Sequence, residues 1–483
     1  VYTLNPGPHT QPDYEMVIET SPAITLNSPV GRLNYKMRSF VPTEMVRTKL
    51  PDGWERNTIR FSNYLWPHKD AATLTDDFSG VNKHGLPLLA RPVAPGPAAL
   101  RIYSRSRKGF ITEVPRLVEY DRQPFPKGRR LPGFEIYMWG NPCFDHAEAD
   151  WPHLLDMYEA AGITACVLGH LGGGDPMVTP RKHWRWSTGH RDGYRQLRRF
   201  VSYATSRGFR LSANIHWPID QRDWLKDHPE DGAVHAGSAG KKHKTRVPMV
   251  LLLDRQHGVY AHWRERLTEC LRDVPLDEVC WDWETSPFLG SYDDRTLASF
   301  RRYAKLSKDT KLGEEIIKES DTLRKKWIAF RCEQVVQVAA TMREIIKEAS
   351  PDTVSSFYSG YPHYSRDKYT TDWEALAKVV DVALAGYHAL WNGNARILAE
   401  IMGAEGKPSL PGLDIYARSH RAEMLGVKLA QALTEGGRGA MIFASGCSNM
   451  NLTALASVAS VTRFLPELEP FLLSLDRRDR LVE

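Results

Sequence analysis

The sequence predicts an α/β protein: a (β/α)8 TIM barrel preceded by a small N-terminal β-rich module. Three observations carry this expectation. The chain has 483 residues, more than one ordinary domain and suited to a barrel of ~250 residues or more with an appended module. From residue 134 onward, short apolar segments alternate with amphipathic stretches, the appearance of repeated βα units around a parallel sheet. Residues 1 to 128 instead carry proline and short alternating or β-branched runs such as YEMVIET and AALRIYS, without a 3.6-residue period. The expected division is 1–128 for the module with its linker and 129–483 for the barrel. DRQPFPKGRRLPG at 121–133 gathers the prolines, glycines and charges of an interdomain linker.

Eight strands are legible in the barrel region: FEIYMWG at 134–140, TACVLGHL at 164–171, RLSANIHW at 210–217, EVCWDWE at 278–284, TVSSFYSG at 353–360, VVDVALAGY at 379–387, SLPGLDIYA at 409–417 and GAMIFASG at 439–446. Between them, ADWPHLLDMYEAAG, RDGYRQLRRFVSYATSRG, GVYAHWRERLTECLRD, residues 318–348 and RAEMLGVKLAQALTEGG repeat apolar residues at three and four, as helices packed on one face do. The polar stretch 221–253 is too long for a simple connection and falls on a βα loop, the kind that shapes a barrel's mouth.

Composition narrows the function classes. The chain is 42% hydrophobic and 25% charged, a folded globular balance. Its net charge of +6 is not gathered into a basic arm, which argues against nucleic acid as the main partner. No apolar run approaches the ~20 residues of a membrane span, so no membrane association is expected. The six cysteines, at 143, 166, 270, 280, 332 and 447, form neither a CxxC pair nor a His/Cys cluster, so no metal site and no cofactor is expected from them. The chain opens on Val1 with VYTLNPGPHT, which has neither a charged head nor an apolar signal core; either a leader has been removed or the start has been trimmed, and the expected location is secreted or periplasmic.

Barrel chemistry stands at the carboxyl ends of the strands. Strand one presents Trp139 and Asn141 there; strand two His170; strand three Asn214, His216 and Trp217; strand four Asp282 and Glu284. Strand five presents Tyr358 and Tyr361; strand six Tyr387, His388 and Trp391; strand seven Asp414, Tyr416 and Arg418; strand eight Ser445, Cys447 and Asn449. Aromatic faces beside amides, imidazoles and carboxylates are the residue types that hold sugars, so a carbohydrate is the expected partner. Residues two apart on a strand share a face, so Asp282 and Glu284 stand together, roughly 7 Å apart along the backbone, with Trp281 and Trp283 turned toward the helices. Two such carboxylates repel when both ionise, and the more enclosed one is pushed to keep a proton, as a general acid requires. Glycosidic cleavage uses such a pair.

DEVCWDWE at 277–284 resembles the strand-four signature of chitinase-type glycoside hydrolases, Asp-Gly-x-Asp-x-Asp-Trp-Glu. Asp277, Asp282, Trp283 and Glu284 match, while Glu278 stands for the glycine and Cys280 for the first paired aspartate. The resemblance implies Glu284 as acid, Asp282 as the group orienting a substrate acetamide and Tyr387 as its assistant. The chain also resembles, more loosely, barrel glycosidases with the acid on strand four and the nucleophile on strand seven, which makes Asp414 a nucleophile candidate. In a third arrangement, that of retaining α-glycosidases, Asp282 itself is the nucleophile.

The expected function is therefore a retaining glycoside hydrolase acting on an oligo- or polysaccharide. Glu284, Asp282 and Asp414 are its catalytic candidates, and Trp139, His170, Asn214, His216, Trp217, Tyr358, Tyr361, Tyr387, His388, Trp391 and Arg418 its substrate contacts. The basic runs RKHWRW at 181–186 and GKKHKTR at 240–246 point to an anionic sugar. Two alternatives stay open: a metal-dependent hydrolase or lyase using His170, His216 and Asp282, and a non-catalytic carbohydrate-binding barrel. Each residue also has a plainer reading. The carboxylate pair is a structural ion-pair partner, Asp414 a helix cap with Arg418, the histidines and Trp184, Trp186, Trp217 and Trp391 packing residues, and LGGGDP at 171–176 a flexible loop without phosphate-binding spacing.

Overall fold

The computed structural model describes residues 14–26, 33–35, 38–65, 90–92, 99–106, 116–119, 128–140, 151–168, 193–216, 218–360, 362, 365–388, 393–414, 424–443 and 452–478. The N-terminal region is β-rich, as its alternation predicts. Its strands are β1 (Tyr14–Thr20), β2 (Ile24–Leu26), β3 (Leu33–Tyr35), β4 (Arg38–Lys49), β5 (Glu55–Leu65), β6 (Ala90–Pro92), β7 (Ala99–Ser106) and β8 (Arg116–Glu119). Six of them form an antiparallel sheet in the order β3-β4-β5-β1-β7-β8, and β2 pairs with β6. YEMVIET is β1 and lies antiparallel to β7, with Tyr14 opposite Ser106 and Thr20 opposite Leu100.

The eight segments read from the sequence are the eight strands of a closed parallel barrel: β9 (Glu135–Gly140), β10 (Ala165–Leu168), β11 (Arg210–His216), β12 (Glu278–Asp282), β13 (Val354–Ser359), β14 (Val382–His388), β15 (Ser409–Asp414) and β16 (Gly439–Phe443), which returns to β9. The barrel closes at a glycine. Gly439 has φ of +135°, and a Cβ there would lie 1.8 Å from the Glu135 carbonyl oxygen, so no side chain fits where β16 meets β9.

Parallel strands wrapped by helices are buried on both faces, and the two faces divide by alternation. Tyr137, Trp139, Cys280, Tyr358, Leu384 and Met441 fill the barrel's interior. Ile136, Met138, Val279, Trp281, Phe357 and Ala383 point the other way, into the layer shared with the helices. Trp281 and Trp283 belong to that outer layer, as expected, and Trp281 packs edge-on to Phe357 at 5.0 Å. Each fully buried large apolar side chain contributes about 2 kcal/mol.

The helices begin where their caps lie. Asp293, Ser320 and Asp372 accept hydrogen bonds from the backbone N–H groups of Thr296, Leu323 and Ala375, opening the helices Asp294–Tyr303, Asp321–Ala349 and Trp373–Val379. One boundary differs from expectation. The apolar run from 379 reads as strand, but Val379 ends a helix and β14 starts at Val382. Asp381 marks the junction, its carboxylate accepting from Arg343 Nε at 2.9 Å and from the Ser355 backbone N–H at 3.0 Å.

The polar stretch after β11 is built rather than loose. It forms the short helices Trp224–Asp227 and Met249–Leu252 and pairs with the segment following β12, where the Tyr292 N–H donates to the Val234 carbonyl at 2.7 Å and the Val234 N–H to Ser291 Oγ at 2.9 Å. Tyr292, Phe300, Ile317, Trp327 and Phe330 make a small apolar core in the β12 excursion, with Ala236 packed against it. No helix among the described residues is long and apolar enough to cross a membrane.

Candidate active site at the carboxyl ends of β11, β12 and β13

The inner face of β12 carries a column of ionisable groups, Glu278, Cys280 and Asp282, every one buried. At its foot, Glu278 accepts hydrogen bonds from Tyr137 Oη at 2.6 Å, Ser212 Oγ at 3.0 Å and Ser356 Oγ at 2.6 Å. Burial raises the Glu278 carboxyl above its ordinary range against the pull of those hydroxyls, and it raises Tyr137 strongly. Sequence reasoning missed this network. Its one visible signal was Glu278 itself, in two-residue register with Asp282. Cys280 lies in the middle of the column, and burial holds its thiol well above the ordinary value, so it is a packing group rather than a nucleophile.

At the head of the column stands Asp282, 5% exposed, whose Oδ2 accepts from Asn214 Nδ2 at 3.2 Å. The register places His216 of β11 and Tyr358 of β13 directly beside Asp282. Tyr358 and Trp139 are each 2% exposed and meet at 4.9 Å between ring centroids, inclined by 56°, forming an aromatic floor under the mouth. Extended pairing continues one residue past β12, because the Trp283 N–H donates to the Tyr358 carbonyl at 2.9 Å. Trp283 turns outward and donates Nε1–H to Thr370 Oγ1 at 2.9 Å. Alternation therefore turns the half-buried Glu284 back to the side of Asp282.

Four of the anticipated residues thus converge with their side chains: Asn214, Asp282, Tyr358 and Trp139, with Glu284 following on the same strand end. His216, Tyr387, His388 and Asp414 close the carboxyl ends of β11, β14 and β15, with a register shift in β14 between Ala385 and His388; their side chains lie outside the described residues. His170, Trp217, Tyr361, Trp391 and Arg418 also lie outside them, as do Asn141, Tyr416, Ser445, Cys447, Asn449 and the whole of 169–192.

The fold and this mouth define the class: an eight-stranded parallel (β/α)8 barrel with a carboxylate pair at the end of its fourth strand. No protein-family model matches the chain, and no curated protein matches it. Solved structures do. The glycoside hydrolase domain of PgaB (BpsB) from Bordetella bronchiseptica is similar at TM-score 0.50 and 12% identity, over 68% of this chain and 98% of that one. A GH42 β-galactosidase from G. stearothermophilus is similar at TM-score 0.50 and 13% identity, over 70% of this chain and 57% of that one. The β-galactosidase of the psychrophilic Marinomonas ef1 is similar at TM-score 0.49 and 11% identity, over 71% of this chain and 61% of that one. The chain therefore spans about 60% of the length of the β-galactosidases it matches. At these identities the likeness is one of fold: the chain is built on the TIM barrel that these glycoside hydrolases share.

Proposed function

We propose that this chain is a retaining glycoside hydrolase acting on an oligo- or polysaccharide, with Glu284 as acid/base and Asp282 as its partner carboxylate. One observation carries the reading: Asp282 and Glu284 stand two residues apart at the carboxyl end of β12, with the Asp282 carboxylate held by the Asn214 amide. Glu284 protonates the leaving oxygen as oxocarbenium character develops, while Asp282 stabilises or attacks the anomeric centre. Asp414, which ends β15, is the second nucleophile candidate. The glycoside hydrolase names carried by proteins of the same fold support the class but not the substrate.

The excursion after β11 favours an anionic sugar. Lys241, Lys242 and Lys244 are exposed on it, and His243 is held at a pKa of about 4 by burial and then by the charges of His235, Arg246 and Arg222. Exposed lysines clustered on one excursion attract a sulfate or a uronate.

The test is turnover of a panel of neutral, acetamido and anionic glycans by the wild type and by Glu284→Gln, which removes the proton donor at nearly constant shape. A loss of several orders of magnitude with glycan binding retained is expected. An unchanged rate removes Glu284 from the role, and binding without any turnover identifies a carbohydrate-binding barrel instead.

A further inference from the structure

We infer that Thr370 is a positioning residue for Glu284, its one hydroxyl fastening the chain on both sides of that carboxylate. The inference rests on the proposed role of Glu284. Its observations are independent of that role.

Thr370 lies 87 residues from Trp283 in sequence, yet its Oγ1 accepts the Trp283 indole Nε1–H at 2.9 Å. The same oxygen lies 3.3 Å from the carbonyl of Thr285 and 2.5 Å from that of Tyr369, and its single proton serves those two acceptors. Trp283 and Thr285 are the residues immediately before and after Glu284. All three groups are buried: Trp283 and Thr370 are each 1% exposed and Thr285 4%. A hydrogen bond in such surroundings is poorly replaced by water, so it constrains geometry more than an exposed one does.

The Thr370 backbone is itself held in an unfavourable place. Its φ is +55°, left-handed, where a β-branched residue is a genuine outlier and the backbone is strained. Glycine relieves that strain but has no hydroxyl.

The surroundings over-determine the position. The Ser365 hydroxyl donates to the Thr371 carbonyl at 3.0 Å, the Thr371 N–H donates to the Ser365 carbonyl at 3.1 Å, and Ser359 Oγ meets Thr371 Oγ1 at 2.8 Å. Beside them the Tyr369 ring covers Gly360 so closely that a Cβ there would lie 2.2 Å from the ring. The turn that presents Thr370 is thus anchored to β13, the neighbour of β12. Strain retained at a rigid turn beside a mouth carboxylate fits a device that sets where the carboxylate points.

The experiment compares wild type with Thr370→Val, which removes the hydroxyl at constant shape, Thr370→Ser, which keeps it, and Thr370→Gly, which relieves the φ and loses the hydroxyl. The first readout needs no activity: NMR titration of the Glu284 carboxyl, with the Trp283 indole N–H followed in the same spectra. Thr370→Val and Thr370→Gly are expected to displace the Glu284 titration by roughly half a unit or more, as a small movement of a half-buried carboxylate does. Thr370→Ser should leave it at the wild-type position. The second readout is turnover of whichever glycan the wild type cleaves. There kcat should fall roughly tenfold or more in Thr370→Val, with KM held and the pH profile displaced, and Thr370→Ser should recover to within a few-fold.

A Glu284 titration identical in wild type and Thr370→Val, with the Trp283 N–H visibly released, overturns the inference. So does a Thr370→Ser protein as displaced as Thr370→Val. If the wild type cleaves no glycan, the proposed function fails while the titration still decides the role of Thr370. Thr370→Gly keeps the test intact should the valine not tolerate the left-handed backbone.

Discussion

Asn214 and Asp282, on neighbouring barrel strands, share one hydrogen bond: the Asn214 Nδ2–H donates to Asp282 Oδ2 over 3.2 Å, in a site where Asn214 is fully buried. A carboxylate taken out of water keeps its charge only where donors replace the lost solvation. Asn214 supplies one such donor, while its own buried Oδ1 has no hydrogen-bond partner among the described residues.

Replacing Asn214 by alanine removes this donor and with it one of the contacts that fix where the Asp282 carboxylate points. Activity at neutral pH should fall by roughly ten- to a hundredfold, the worth of a charge-assisted hydrogen bond. Asn214→Asp places a second carboxylate against the first and should lower activity further, because like charges push the two side chains apart. Wild-type turnover in both variants would remove Asn214 from any role in holding Asp282.

The Tyr358 ring depends on a glycine. A Cβ at Gly386 of β14 would lie 2.1 Å from Tyr358 Oη and 2.7 Å from Cζ, both side-chain atoms in a packed interior. Gly386→Ala should therefore push Tyr358, the direct neighbour of Asp282 in the register, out of its position. The expected cost is about 1–3 kcal/mol of stability, as for overpacking in general, together with reduced kcat. The double variant with Tyr358→Phe removes the nearest clashing atom and should restore part of the stability. Equal urea midpoints for the single and double variants would show that the hydroxyl is not what the new methyl meets.

The barrel was legible because it is local: eight apolar segments with two-residue alternation and the helices between them can be read from neighbours in the chain. So was the pair Asp282 and Glu284, whose spacing along one strand decides their face. What was not legible joins distant positions. Ser212 and Ser356 reach Glu278 across 66 and 78 residues, and Thr370 reaches Trp283 across 87. No periodicity carries a serine's partner on the next strand, and no propensity announces a threonine at positive φ. The misread start of β14 has a similar cause. Two valines before Asp381 look like strand, while the packed end of the helix Trp373–Val379 claims the first of them.

His262, on the helix Gly258–Asp273, is pushed to a pKa of about 4 by burial, with Arg266 adding repulsion against a weaker pull from Asp223. Trp224 covers it at 5.6 Å between ring centroids, and its Nε2 has no partner among the described residues. Below the ordinary histidine value of 6.5 the unfolded chain takes up a proton that the folded chain refuses until about pH 4. Stability from this group is therefore fully present above 6.5 and is lost as pH falls through that window. His262→Phe, similar in size and without a proton to take up, should flatten the fall. Urea unfolding at steps between neutral and mildly acidic pH decides it, and parallel curves for the two proteins would place the acid sensitivity elsewhere.

Glu278 titrates in the opposite sense. Its folded value lies above the ordinary 4.5, so between those two values the native state holds the proton more tightly than the unfolded one. The stability it confers is complete below 4.5 and declines as pH rises through the raised folded value. Glu278→Gln keeps the shape and abolishes that proton, so the difference in unfolding free energy between the two proteins should shrink or reverse as pH rises across this range. One of the three hydroxyls must then turn around to accept from the amide, a change of about 1 kcal/mol. Glu278→Ala is harsher. It leaves Tyr137, Ser212 and Ser356 without their common acceptor and opens a cavity at the foot of the barrel, and should cost about 3 kcal/mol or more. A glutamine variant whose stability tracks the wild type at a constant offset across the mildly acidic range would mean that Glu278 stays ionised in the folded barrel, held by its three hydroxyl donors against the penalty of burial.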